Sequence, residues 1–113
     1  MSTTTNGPRG GTEDKGQSAP SPVPYDSHRI LIVDDESAIR AIFQRVVSAG
    51  LPHCRTDVAV NGAEAVEYFR SAHQGILLMD LQMPVMAGQK AFEEIRNLCQ
   101  AQNWEIPACI FCT

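Results

Sequence analysis

An open α/β sheet of parallel strands is the architecture this sequence predicts, on three observations. Two short runs, Ile30-Leu31-Ile32-Val33 and Ile76-Leu77-Leu78-Met79, are apolar without alternation, the pattern of strands buried on both faces. Segments with a helical apolar period separate and follow those runs. Each run also ends directly in acids, Asp34-Asp35-Glu36 after the first and Asp80 after the second, and carboxyl ends of such strands are where open sheets bind ligands.

Size and composition bound the rest. A chain of 113 residues makes one domain, and 43% hydrophobic with 19% charged residues suits a globular protein. A formal charge of −4 offers no basic face for nucleic acid. No apolar run approaches the ~20 residues that cross a bilayer. The N-terminus lacks the apolar core of a signal peptide, so a cytoplasmic protein without membrane contact is expected.

Residues 1–27 are rich in Ser, Thr, Gly and Pro without periodicity, and are expected to be a disordered tail. Within it, Pro20-Ser21-Pro22-Val23-Pro24 reads either as an idle stiff spacer or as a docking peptide, the idle reading being the commoner one. The first strand is expected from about Arg29 to Val33. The helix after it carries Ile39, Ile42, Phe43, Val46 and Val47 on one stripe, with Gly50 just past its end as a left-handed cap. Thr56 to Val60 is less apolar and is placed at the sheet edge. Asn61 caps the second helix, with Glu64 reaching back, and Ala65, Val66 and Phe69 form its buried side.

Strand 76–79 comes next, then a tight loop bracketed by Pro84 and Gly88. The third helix runs from about Gln89 to Asn103, with Phe92, Ile95, Leu98 and Cys99 inward. The last strand is Ala108 to Cys112. Strand–helix alternation of this kind assembles into a parallel sheet through right-handed crossovers. Cys109 and Cys112 make a Cys-x-x-Cys spacing, but within a strand they point to opposite faces, so structural thiols are expected there.

If the two buried strands are neighbours, Asp34, Asp35 and Asp80 meet at one rim. Two unit charges about 4 Å apart repel by roughly 4 kcal/mol at an effective dielectric near 20, so such a cluster calls for a proton or a cation. Magnesium suits it, because that ion takes a few oxygen ligands and keeps several waters. In the expected arrangement Asp35 and Asp80 bind directly, Asp34 binds through water, and the main-chain carbonyl of Gln82 completes the protein's share. One oxygen of Asp80 then stays free to attack phosphorus and form an acyl phosphate. Thr113, at the end of the next strand, would bond the new phosphoryl oxygens.

Ile30 to Glu36, Leu78 to Met86, Gly88 and the strand ending in Thr113 together resemble a two-component response-regulator receiver domain over residues 28–113. The resemblance implies a flavodoxin-like (CheY-like) sheet of order 2-1-3-4. It further implies Asp80 as phosphoacceptor, Asp34 and Asp35 as the magnesium pair, Thr113 as the switch hydroxyl, and a histidine kinase or histidine phosphotransfer protein as donor. The domain would be a regulated acceptor more than a turnover enzyme. An aspartate-nucleophile phosphatase would want an acid two residues after Asp80, where Gln82 stands. A phosphorylation-independent interaction module with a relic acid site is the competing reading.

Two departures from the family pattern stand out. Ala87 replaces the acid that commonly precedes Gly88. The family's fifth strand, its last two helices and the lysine that pairs with the phosphoryl group have no counterpart here, and Lys90 reads as a solvated surface residue. Strand 108–112 is therefore expected to be an apolar edge, in a chain read as truncated in preference to one completed by another chain, for instance as a homodimer.

Overall fold

The computed structural model describes residues 20–112. The elements run β1 Asp26–Val33, α1 Ser37–Gly50, β2 Arg55–Ala59, α2 Gly62–Ala72, β3 Gln74–Asp80, α3 Gly88–Gln102 and β4 Ala108–Cys112. All pairings are parallel and the strand order is β2-β1-β3-β4, the flavodoxin-like arrangement expected. β2 is the edge on one side. β4 is the edge on the other, with Ile110 and Phe111 exposed.

β1 shows how the apolar runs build the interior. Successive side chains alternate between faces, so Leu31 and Val33 join Ala59, Phe69, Leu77, Met79, Ile95 and Cys99 beneath α2 and α3. Ile30 and Ile32 point the other way, to Val47 and the half-buried Phe43, Val58, Ile76 and Leu78 beneath α1. Phe69 is fully buried from α2, and Ile95 and Cys99 from α3, as their helical spacing implies.

Helix α2 starts as its cap requires. Asn61 Oδ1 accepts from Glu64 N–H at 2.8 Å, while the Glu64 carboxylate accepts from Val60 N–H at 3.0 Å, one residue earlier than a standard capping box. Lys90 is exposed and pairs, among the described residues, with Glu93 one turn on, as a surface residue does.

Three expectations are corrected. Gly50 is the last residue of α1 and not a left-handed cap; Leu51 closes the helix through its N–H to Val47 O at 2.7 Å, with φ −133°. The α1 stripe is only partly buried, because no described element packs over Ile42 and Val46, which are 55% and 62% exposed. Finally, residues 20–27, assigned to a disordered tail, are placed against the body: β1 begins at Asp26, and Val23 bridges to Trp104. Residues 1–19 of that tail lie outside the described residues.

Candidate functional site

The sheet register brings the acids together. Val33 pairs with Met79 across β1 and β3, so Asp34 emerges opposite Asp80. Asp34 follows β1 and stays tied to β2 through its N–H to Ala59 O at 3.2 Å. Carboxylate oxygens of Asp34, Asp35 and Asp80 lie within 4.8 Å of one another. Asp34 is buried, Asp80 half-buried and Asp35 exposed, so the cluster opens to solvent on the Asp35 side.

Local hydrogen bonding orients two of the three. Asp34 Oδ1 accepts from Glu36 N–H at 2.9 Å, and Asp80 Oδ1 accepts from Gln82 N–H at 3.1 Å. Each is an Asx turn that uses one carboxylate oxygen and leaves the other to the cleft. The Arg40 guanidinium donates to the main-chain carbonyl of Asp34 at 2.7 Å, setting a fixed positive charge one turn into α1 beside the acids. The cleft itself is about 360 Å³ and is lined by Asp34, Glu36, Ile39, Phe43, Asp80 and Cys112.

Gly88 fixes the loop that follows Asp80. Its N–H donates to Leu81 O at 3.1 Å, and its α-carbon lies against the Asp80 carbonyl so closely that a β-carbon there would overlap the oxygen. The start of α3 is thereby seated on the backbone of the central acid. Between them, Val85 takes a left-handed conformation, φ 71°, which is a genuine outlier for a β-branched residue.

Arg40 and Cys112 were not singled out from the sequence as site residues. Cys112 pairs with Asp80 across β3 and β4, which sets its thiol in the cleft wall. Burial, and then the charges of Asp34 and Asp80, push that thiol above its usual range. Cys109 faces the other way, into the core under α2 and α3, and burial with Cys112 nearby raises it to about 11. Both shifts run against a nucleophilic thiolate, although the two cysteines are half-buried and not fully buried. Thr113 lies outside the described residues; its neighbour Cys112 is the register partner of Asp80.

The family model described as response regulator receiver domain matches residues 30–113. The chain belongs to that family. The receiver is 39% identical over 71 residues to a protein-glutamate methylesterase/protein-glutamine glutaminase of Aliivibrio fischeri, covering 63% of this chain and only 19% of that protein. Among solved structures it resembles the response regulator TrrA of Thermotoga maritima in complex with Mg(2+)-BeF, at 29% identity and TM-score 0.60, covering 74% of this chain and 64% of that one. It also resembles the receiver domain of Saccharomyces cerevisiae Ssk1, crystallised with the histidine phosphotransfer protein Ypd1, at 26% identity and TM-score 0.61, covering 77% and 62%. The receiver thus spans a small fraction of the relative matched by sequence and under two thirds of the structural ones.

The donor set fits a hard divalent cation. It is all oxygen, three carboxylates from two adjacent strand ends, with solvent access for the waters such an ion keeps.

Proposed function

We propose that this receiver, a regulatory domain of two-component signalling, takes a phosphoryl group from a phosphohistidine onto Asp80. In this reading Asp34, Asp35, Asp80 and the Gln82 main-chain carbonyl hold Mg2+, with Asp34 acting through water. The observation that carries it is the convergence of three carboxylates, from residues 34, 35 and 80, within 4.8 Å. Support for the ion comes from the similar TrrA structure with its Mg(2+)-BeF, and for the donor class from the similar Ssk1 receiver with its histidine phosphotransfer partner.

The chain's own groups divide the work. The Asp80 oxygen not engaged by Gln82 N–H attacks phosphorus. An O–P bond forms as the P–N bond of the phosphohistidine breaks, and the bonding pair leaves with the imidazole. The Gln82 bond holds the Asp80 carboxylate in one rotamer, so the attacking oxygen points into the cleft. The Glu36 N–H bond holds the Asp34 carboxylate in the same way, and the Arg40 guanidinium anchors the Asp34 main chain. Magnesium, when bound by these residues, would supply positive charge to offset the negative charge on the transferred phosphoryl group. The Thr113 hydroxyl is assigned to bonding those oxygens afterwards. The acyl phosphate is an end state that signals by shifting a conformational equilibrium, so the domain is an acceptor and not a turnover enzyme.

A cytoplasmic location follows from the phosphodonor. No helix among the described residues is long and apolar enough to cross a membrane. The test is intact mass after incubation with acetyl phosphate and Mg2+. One added phosphoryl group on the wild type and none on Asp80→Asn supports the reading. An unmodified wild type overturns it in favour of a phosphorylation-independent module, and modification that survives Asp80→Asn overturns Asp80 as the acceptor.

A further inference from the structure

The Pro-spaced segment ahead of β1 plays no part in the acid site, yet a few specific hydrogen bonds and one ring fasten it to the fold. Val23 N–H donates to Asn103 O at 2.9 Å, and Glu105 N–H donates back to Val23 O at 2.8 Å. The Asn103 amide reaches the carbonyls of Pro20 and Ser21 at 3.2 and 3.5 Å, and Tyr25 N–H donates to Glu105 Oε1 at 3.1 Å. Prolines 20, 22 and 24 have no N–H, so only residues 21, 23 and 25 can donate from this stretch. Two of those three N–H groups, Val23 and Tyr25, are used. The sequence P-S-P-V-P-Y puts its donors where the seat has acceptors, on a backbone that proline already holds extended.

The seat is built to match. Gly75 carries no side chain where the Tyr25 ring lies, and a β-carbon there would come within 2.6 Å of Tyr25 Cδ1. His73 meets the Tyr25 ring edge-on, stacks on Trp104 with centroids 4.6 Å apart, and places Nε2 2.8 Å from Glu105 O. A carbonyl only accepts, so that nitrogen carries the proton. Asn103 is the left-handed residue ending α3, φ 53°, a conformation Asn tolerates, and its side chain does the holding. This seat lies at the far end of α3 from Gly88, about 22 Å from the acid site along fifteen helical residues.

We propose that Pro20–Tyr25 is a cis-acting strap closing a peptide seat made by Asn103, Trp104, Glu105, His73 and Gly75, a seat whose ligand class is an extended, uncharged, proline-spaced segment ending in an aromatic. The strap is made to lift: Pro20 to Pro24 are all exposed, and it is held by a few hydrogen bonds and one ring, not by core burial. Its opening uncovers Trp104 and His73 without disturbing β1, and its closure pins the end of α3 to the entry of β1 and β3. The inference stands apart from the acid site and does not depend on phosphorylation.

The chain has a single tryptophan, Trp104, which makes the strap visible in the intact 113-residue chain. The experiment compares wild type with Asn103→Gly, which keeps the left-handed helix end and loses both amide bonds, and with Val23→Pro, which keeps an extended backbone and loses one donor. Readouts are acrylamide quenching of Trp104 and amide exchange at Glu105 and at Ile30 to Val33. Both variants should show roughly twofold stronger quenching and about fivefold to tenfold faster exchange at Glu105, with β1 protection unchanged. Equal quenching and equal Glu105 exchange in all three proteins would overturn the strap. So would β1 amides that lose protection in step with Glu105, since that is unfolding. Glu105 protection that depends on protein concentration would show the segment exchanged between chains, and would overturn the cis assignment.

Discussion

Replacing Gly88 by alanine sets two physical effects against each other, and their difference tests how the acid site is held. Glycine inside a helix is less favourable than alanine by about 1 kcal/mol, an upper bound at the first residue of α3, so helix propensity alone makes Gly88→Ala stabilising. The structure predicts the opposite sign. A β-carbon on Gly88 would overlap the Asp80 carbonyl oxygen, and would sit 3.1 Å from the Asp80 carbonyl carbon and 3.2 Å from Met79 Cγ. Backbone cannot rotate away as a side-chain tip can. Relief needs α3 or the Asp80 peptide to move by something on the order of an ångström to regain normal contact. Overpacking of this kind costs about 1–3 kcal/mol, which leaves a net loss of roughly 0–2 kcal/mol when the full propensity gain is set against it. Urea unfolding gives the number from the shift of midpoint at constant slope. Mg2+ titration should show weakened binding in the same variant, because the shifted peptide carries Asp80. A variant at least as stable as wild type, with unchanged Mg2+ affinity, would refute the idea that α3 is seated on the central acid.

Two further outcomes follow from single residues. Val85 pays for a left-handed backbone with a β-branched side chain while 81% exposed, so Val85→Gly should raise the thermal midpoint by the equivalent of about 1 kcal/mol; an unchanged or lower midpoint would contradict the strain. Burial would raise the Asp57 carboxyl, but hydrogen bonds from Arg29 and the buried Gln74, with the charges of Arg29 and Arg55, outweigh it and hold the group below its usual range. Its folded value is depressed, so its contribution is present above about pH 4 and is lost as pH falls through the lower folded value. Asp57→Asn should cost about 1–2 kcal/mol near neutrality, with allowance for the partial exposure of the pair, and its stability should fall less steeply than wild type below pH 4. Parallel acid arms in the two proteins would count against this.

Much of the fold was readable because burial leaves a plain mark on sequence. Ile30 to Val33 and Ile76 to Met79 carry no polar face, which marked both as interior strands. β1 is covered on both sides there, whereas Ile76 and Leu78 on the α1 face of β3 are only half-buried. The Asn61 cap follows from local hydrogen bonding alone. The carboxylate cluster was readable for the same reason, since neighbouring buried strands that end in acids bring those acids to one rim. What escaped depends on distant partners. Ile42 and Val46 have the period of a buried stripe, but period reports a common face and not whether anything covers it. Val85 breaks the local rule that reserves positive φ for glycine and asparagine, so no reading of propensity finds it. Cys112 reaches the cleft, and Arg40 the Asp34 carbonyl, only once the β3–β4 register and the first turn of α1 are set. Pro20 to Tyr25 shows no periodicity because its order comes from a seat some eighty residues away.

The central claim is that Asp34, Asp35 and Asp80 form one cation site beside a free oxygen of Asp80. Crystals soaked in Mn2+, an octahedral oxygen-seeking stand-in for Mg2+, test it most directly through anomalous difference density. The account predicts a single peak within ligand distance of both Asp35 and Asp80, absent from Asp35→Asn. No peak at that rim, or one held by Asp35 with Asp80 turned away, would contradict it.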